Sequence, residues 1–149
     1  MALIDLIGAN VIKVPLTAKS KDEVVRELLG VLASAGRLAD ERKAYEAVLA
    51  REALGSTGLE NGIAVPHAKT TAVKDLTIAI GIAPSGIDFQ ALDGKPSTLF
   101  FLILAPPDKS GPHIEALAEI ARMTRSTAFC RSVAGARTAE EVVELFRED

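Results

Sequence analysis

The segment STLFFLILAP, residues 97–106, constrains the fold more than any other stretch of this chain. Its apolar residues stand at consecutive positions, so a strand built from it is apolar on both faces. Such a strand is typical of the centre of a sheet that is covered on both sides. The apolar core of the segment is far shorter than the roughly 20 residues of a membrane-spanning helix, so we expect no direct membrane insertion.

Three other segments are predicted to be extended. VIKVPL, residues 11–16, is rich in β-branched residues and predicts a first strand. IAVPHA, residues 63–68, predicts a short extended piece, and LTIAIGIAP, residues 76–84, predicts a strand that ends at Pro-Ser-Gly. Residues 86–96 contain an Asp-Gly turn signal and are predicted to be an irregular connection.

Capping residues mark the predicted helices. Ser20 with Glu23, and Thr138 with Glu141, have the spacing of a capping box and begin the first and last helices. A second helix is predicted over residues 40–55 and a short one over residues 128–134.

A further helix follows the central strand, with Ser110 predicted as its N-cap. Its expected buried stripe is Ile114, Leu117, Ala118 and Ala121. Strands and helices alternate, so the sequence predicts an α/β sandwich with a central mixed β-sheet flanked by helices.

Length and composition narrow the class of protein. The 149 residues fit one domain, predicted to cover residues 1–149, and the net charge is −3 without a Lys/Arg run. With five Phe, one Tyr and no Trp, we expect no nucleic-acid partner. Cys130 is the only cysteine, and we expect it to be a small buried side chain. The N-terminal residues lack the features of a signal peptide, so we expect a cytoplasmic protein.

His67 follows Pro66 at the end of an apolar run, just after a glycine-rich loop. Proline restricts the backbone on both sides of itself, and the loop brings exposed amide groups near the ring. An imidazole held there suits a nucleophile, a base or a ligand, but a packed or solvated histidine at a strand end is an equal alternative.

His113 and Arg51 are the other candidate residues. His113 is predicted in the first turn of a helix, just after Pro112, where the helix dipole favours a neutral imidazole and attracts anions. Arg51 is predicted on the inner face of its helix, where a guanidinium suits phosphate binding. The corresponding alternatives are an exposed histidine at the start of a helix, and an arginine that snorkels to the surface or pairs with a neighbouring Glu.

Other chemistries find little support in the sequence. Ser56 and Thr57 offer hydroxyls near the candidate site, although local turn hydrogen bonds are their more common role. We find no phosphate-binding glycine motif, zinc-ligand spacing or EF-hand, so we expect neither a cofactor nor a metal.

The segment AREALGSTGLENGIAVPHAKT resembles the active-site segment of type-2 enzyme IIA domains of bacterial sugar phosphotransferase systems, the fructose, mannitol and nitrogen-regulatory class. Arg51 and Glu52, the Ser-Thr-Gly loop, and the run from Gly62 through Pro66 to His67 match the family pattern. The similarity continues through IDFQALDGKP, LFFLILAP and HIEALAEIARM, and so covers nearly the whole chain.

The resemblance implies a phosphoryl carrier and transferase. His67 corresponds to the phosphorylated residue, and His113 and Arg51 to the residues that stabilise the phosphoryl group. Ser56, Thr57, Gly62 and Pro66 correspond to the loop that supports these residues. The implied partners are the phosphocarrier protein HPr as donor and a cysteine of enzyme IIB as acceptor, in fructose- or mannitol-type sugar uptake.

Two other functions stay open at this stage. Nitrogen-type enzyme IIA proteins look very similar and act by phosphorylation-dependent binding to other proteins. A non-catalytic anion-binding domain is a third interpretation, and His67 together with Arg51 argues against it because simple binding needs no nucleophile.

Overall fold

The computed structural model describes residues 3–148; residues 1, 2 and 149, which belong to the predicted domain and the predicted last helix, lie outside that range. The strands are β1 (Ile12–Lys13), β2 (Ile63–Ala64), β3 (His67–Lys69), β4 (Thr77–Ile87) and β5 (Ser97–Ala105). The helices are α1 (Lys21–Ser34), α2 (Glu41–Glu52), α3 (Ser110–Met123), α4 (Thr127–Ala134) and α5 (Ala139–Glu148). Two 3-10 turns, Leu3–Leu6 and Ala9–Val11, precede β1.

The sheet is mixed, as predicted. Its order is β1-β4-β5-β2, and β3 also pairs with β5. The β4–β5 pair is antiparallel, and the other pairs are parallel. β2 and β3 lie end to end along the same edge of β5, because β2 pairs with Leu99 and Phe100 while β3 pairs with residues 103–105. The residues around Pro66 therefore lie between two paired segments, in the middle of that edge.

β5 confirms the prediction of a central strand buried on both faces. Leu99, Phe101 and Ile103 pack with α3, α4 and α5, whereas Phe100 and Leu102 pack with α1 and α2. None of these side chains is more than 1% exposed. Each contributes about 1.5–3 kcal/mol through burial, which makes this strand the main support of both helical layers.

The two predicted N-caps are confirmed, but in each case the glutamate of the expected capping box bonds the amide of the residue before the cap. The Ser20 hydroxyl accepts a hydrogen bond from the Glu23 amide at 3.3 Å, and Glu23 Oε1 accepts one from the Lys19 amide at 2.8 Å. Thr138 caps α5 in the same way, with the Glu141 amide at 3.1 Å. Because the Glu23 carboxylate reaches the residue before the cap, it also fixes how the chain enters α1.

β4 is longer than predicted, because it passes through the Pro-Ser-Gly sequence that was expected to end it. Ile82 pairs with Leu99 and Ile87 with Ser97, so the four residues 83–86 of β4 lie opposite the single residue Thr98 of β5. The bulge accommodates Pro84, which has no amide hydrogen for the ladder. β1, in contrast, is only two residues long and pairs with residues 80 and 81.

The predicted orientation of α3 was wrong. Its buried residues are His113, Ala116, Ile120 and Met123, while Ile114 is 65% exposed. Ser110 is also not the N-cap, because the helix begins at Ser110 and has no side-chain capping bond. Both stripes have helical spacing, and packing against β5 selects the one that contains a histidine.

Candidate functional site

His67 is the first residue of β3. Residues 63 and 65 pack on the α3 side of the sheet, and alternation along the strand puts the half-buried His67 ring on that side too. His67 Nδ1 lies 2.8 Å from the carbonyl oxygen of Val65. Because a carbonyl only accepts, Nδ1 must carry the hydrogen, and Nε2 therefore keeps its lone pair.

Pro66 fixes the backbone immediately before His67. Its carbonyl oxygen accepts a hydrogen bond from the Ile103 amide at 3.0 Å, which ties it to the central strand. Proline has no amide hydrogen of its own, so this position makes one ladder bond and leaves no donor unpaired.

His113 comes from α3 and lies against His67. The two ring centroids are 5.4 Å apart and the rings meet edge to face, at 73°. His113 is only 5% exposed. Burial lowers the pKa of His113 below its ordinary value, and electrostatic interaction with the neighbouring His67 and Lys69 lowers it further. We therefore expect a neutral imidazole near pH 7, and its buried Nε2 has no hydrogen-bond partner among the described residues.

Arg51 lies in the last turn of α2, which ends at Glu52 rather than at Gly55 as predicted. Ala44 and Val48 are buried on that face, and Arg51 continues it as a half-buried residue, as expected. Its Nη1 donates a hydrogen bond to the Gly55 carbonyl oxygen at 2.8 Å. This bond anchors one end of the guanidinium fork, whose remaining donors suit a phosphoryl group.

The loop of residues 55–58 is held by its own hydroxyls. Ser56 Oγ donates to the Phe89 carbonyl oxygen at 2.7 Å and accepts from the Gly58 amide at 3.0 Å. Thr57 is 4% exposed, and its hydroxyl donates to Glu52. The predicted local turn bond is present at Ser56, whereas the Thr57 hydroxyl bonds the side chain of a residue in α2 instead.

Glu52 and Lys21 take part in this arrangement, although no role was predicted for either of them. Glu52 Oε1 accepts from the Thr57 amide at 3.1 Å and lies 2.8 Å from Lys21 Nζ. The available signal was the Arg-Glu pair just before the loop. Lys21 carried no signal, because only the packing of α1 against α2 brings it close.

Gly62 is the turn residue immediately before β2. Its φ of +78° is strained for other residues, and a Cβ there would come 3.0 Å from Thr98 Oγ1. Its carbonyl oxygen accepts from the amides of Thr98 at 2.8 Å and Leu99 at 3.0 Å. Gly62 therefore turns the loop sharply into β2 and sets the register of the chain leading to His67.

A cleft of about 220 Å³ contains His67 and Arg51. Its other lining residues come from the 55–58 loop, the chain around β2, and α3, and they are Ser56, Thr57, Leu59, Val65, Leu117, Ile120, Ala121 and Thr124. Most of this wall is apolar and open to the surface. The structure thus places an imidazole nitrogen of His67, the Arg51 guanidinium and the adjacent His113 ring near an apolar surface, an arrangement that suits the binding of an anionic group.

The described part of the chain contains neither a metal-binding cluster nor a helix suited to span a membrane. Within residues 3–148, no group of three or more His, Cys, Asp or Glu side chains is arranged to hold a metal ion. Over the same residues, no helix combines the length and the apolar character needed to cross a membrane.

Comparison with known proteins identifies the family. The profile described as "Phosphoenolpyruvate-dependent sugar phosphotransferase system, EIIA 2" matches residues 5–149. A fructose-specific EIIABC component of Bacillus subtilis is 33% identical over 99% of this chain, which spans only 23% of that longer protein.

Two solved structures have the same fold. The nitrogen regulatory protein IIA-Ntr of Neisseria meningitidis superposes with a TM-score of 0.87 at 31% identity, over 96% of this chain and 97% of that one. The mannitol enzyme IIA of Escherichia coli, solved in complex with phosphorylated enzyme IIB, superposes at 0.81 with 25% identity, over 96% and 98%. On this match in sequence and fold, the chain belongs to the EIIA 2 family of the phosphoenolpyruvate-dependent sugar phosphotransferase system.

Proposed function

We propose that this protein is a cytoplasmic phosphoryl carrier that takes a phosphoryl group from phosphorylated HPr onto His67 and passes it to a cysteine of enzyme IIB. The observation that carries the proposal is the hydrogen bond from His67 Nδ1 to the Val65 carbonyl oxygen, 2.8 Å long. This bond leaves Nε2 as the nucleophile, in a cleft that also contains Arg51.

The transfer is a displacement at phosphorus. The lone pair on His67 Nε2 forms a bond to phosphorus, while the bond from phosphorus to the HPr imidazole nitrogen breaks and its electrons stay with HPr. The His67 ring then bears a positive charge, which the Val65 carbonyl stabilises through the Nδ1 hydrogen. In the second step an enzyme IIB thiolate attacks phosphorus, and the electrons of the N–P bond return to Nε2.

Arg51 and His113 are the proposed stabilising residues. Arg51 supplies fixed positive charge at the cleft, since its guanidinium is already tied to Gly55. His113 is proposed to donate a hydrogen bond from its unpartnered Nε2 to a phosphoryl oxygen. As a neutral group, it stabilises the phosphoryl group without binding it too tightly for onward transfer.

The partners are proposed to dock on the apolar wall of the cleft. Leu59 is 37% exposed, and Leu117 and Ala121 line the cleft from α3. Ile114, 65% exposed, lies one turn before Leu117 on the same helix. HPr and enzyme IIB would use this surface in turn, as the solved complex of the mannitol enzymes shows that an enzyme IIA binds phosphorylated enzyme IIB.

We propose sugar uptake of the fructose or mannitol type as the output. The fructose-specific relative from Bacillus subtilis supports this choice. The similarity to the Neisseria nitrogen regulatory protein supports a second candidate, a regulator that acts by phosphorylation-dependent binding. Both candidate functions use the same chemistry at His67. In both, residues 1–149 form one domain, which stays a prediction.

Intact mass spectrometry tests the relay. The protein is incubated with phosphoenolpyruvate, enzyme I and HPr, with HPr phosphorylation verified separately. We expect one acid-labile phosphoryl group on the wild type and none on His67→Ala. A second assay follows transfer of the phosphoryl group to enzyme IIB in the presence of fructose or mannitol. Transfer supports the role in sugar uptake, and its absence supports the regulatory role. An unmodified wild type beside phosphorylated HPr would refute the relay and favour an anion- or partner-binding domain.

A further inference from the structure

Glu52 is an acidic side chain held almost entirely away from solvent. Its side chain is 5% exposed and lies 2.8 Å from Lys21 Nζ. It also accepts two hydrogen bonds from Thr57, one from the amide at 3.1 Å and one from the hydroxyl. Burying a charge is costly unless it is paired and hydrogen-bonded, and such pairs are weak contributors to net stability. This arrangement therefore needs a reason other than stability.

The contacts of Glu52 lead to the candidate nucleophile. Thr57, fixed by Glu52 on one side, accepts a hydrogen bond from the Val65 amide at 3.0 Å through its own carbonyl oxygen. Val65 in turn accepts the hydrogen bond from His67 Nδ1. Lys21, Glu52, Thr57, Val65 and His67 thus form one continuous series of contacts that links two helices to the imidazole.

We propose that Glu52, paired with Lys21, is a positioning residue that sets the tautomer and the direction of His67 through Thr57 and Val65. The kinetic part of this inference rests on the proposed phosphoryl acceptance by His67, whereas the tautomer part does not. Glu52 does not line the cleft and acts only through other residues.

The loop needs such a brace because its own backbone is permissive. Gly55 has a φ of +153°, and Gly58 follows Thr57 directly, so two glycines flank the residues to be fixed. Misplacing a reacting group by about 1 Å can reduce a rate by roughly 100-fold. A loop that drifted by that amount would turn the Val65 carbonyl away from Nδ1 and release the ring.

The test compares matched variants. Glu52→Gln keeps the size of the side chain but removes the charge that binds Lys21. Thr57→Val removes the hydroxyl and keeps the shape, while Thr57→Ser keeps the hydroxyl. Glu46→Gln is the control, because Glu46 lies on the same helix, pairs with an arginine and is 65% exposed.

Two measurements are made on each variant. Nitrogen-15 NMR of the unphosphorylated protein reports which ring nitrogen of His67 carries the hydrogen. Phosphoryl transfer from phosphorylated HPr gives kcat and KM separately. We expect Glu52→Gln and Thr57→Val to shift His67 toward the Nε2–H form and to lower kcat about 10- to 100-fold, with KM changed less than about threefold. Thr57→Ser and Glu46→Gln should behave as the wild type.

A purely structural role predicts a different result. Glu52→Gln and Thr57→Val would then lower the melting temperature but keep the Nδ1–H tautomer and the wild-type kcat, which would overturn the proposal. Should Glu52→Gln fail to fold, the comparison of Thr57→Val with Thr57→Ser decides the question in the same way. A wild type that is never phosphorylated would refute the proposed function, and the tautomer shift would then decide the positioning role alone.

Discussion

Replacing Gly58 by alanine would test how closely the site loop is packed. A Cβ at this position would lie 2.9 Å from Ala91 Cα, 2.9 Å from the Phe89 carbonyl oxygen and 3.2 Å from Ala91 Cβ. Two of these contacts are with backbone atoms, which cannot turn aside as a side-chain tip can. Gly58 is not among the positive-φ residues, so alanine is allowed by its backbone and the effect is steric.

The expected cost follows from two opposing terms. Overpacking of this kind costs typically about 1–3 kcal/mol. The change from glycine to alanine also reduces the conformational entropy of the unfolded chain, which stabilises the folded protein by about 0.4–1 kcal/mol. The net loss lies within about 0–2.6 kcal/mol, and its midpoint of about 1.3 kcal/mol lowers the melting temperature of a chain of this length by roughly 3–5 °C.

The same change should slow phosphoryl transfer. The Gly58 carbonyl oxygen accepts a hydrogen bond from the Leu92 amide at 3.0 Å, and the Ser56 hydroxyl donates one to the Phe89 carbonyl oxygen. Because of these bonds, an outward shift of residues 89–91 would also displace the loop of residues 55–58. Thr57 would move with it, and we expect kcat to fall about tenfold. Calorimetry, urea unfolding and the transfer assay measure the three effects.

Gly30→Ala is the matched control. Gly30 lies inside α1, and a Cβ there meets nothing within 4 Å. Alanine should raise the free energy of unfolding by about 0.5–1 kcal/mol through helix propensity, without changing the transfer rate. If Gly58→Ala were as stable and as active as the wild type while Gly30→Ala behaved as expected, the close contact of residue 58 with residues 89 and 91 would be refuted.

Two further predictions concern the cleft. The pKa of His113 is lowered in the folded protein, so as the pH falls below about 6.5 the unfolded chain takes up a proton before the folded protein does. The free energy of unfolding therefore decreases with falling pH until the pH reaches the lowered pKa of the folded state. Urea unfolding at pH 7.5 and 5.5 should show this loss, which amounts to about 1.4 kcal/mol for each tenfold difference in proton affinity between the folded and unfolded states. The loss should be absent in His113→Gln. An equal pH dependence in the wild type and the variant would contradict the burial argument. Leu59→Ser should raise the apparent KM for phosphorylated HPr about tenfold, whereas Leu92→Ser, 73% exposed and outside the cleft lining, should not; equal values would count against the proposed docking surface.

The layers of the fold were predictable because their causes are local. Ser97–Ala105 is apolar at almost every position, which requires cover on both faces wherever it lies in the sheet. Ser20 and Thr138 act through residues three positions away, so their spacing alone was enough. Pro66 and His67 were singled out for a similar reason, since proline acts on its immediate neighbours.

The features that were missed depend on contacts between distant segments. Lys21 and Glu52 are brought together by two helices that pack side by side, and nothing in either local sequence specifies that contact. β4 continues past Pro84 because β5 offers a partner beyond the bulge. Local rules describe what a segment prefers, and pairing with a neighbour overrides that preference.

α3 departs from the sequence rules on both of its faces. It buries a histidine, His113, which lacks a hydrogen-bond partner at Nε2 among the described residues, and it exposes Ile114. A helix selected for stability alone would place an apolar residue at 113 and a polar one at 114, because an unsatisfied buried donor or acceptor costs about 1–3 kcal/mol. In the proposed function both departures have a use: the inner face supplies a neutral imidazole beside His67, and the outer face supplies apolar surface for a partner. Violations of local rules are expected at functional sites, and a single orientation of this helix produces both of them, next to the His67 ring.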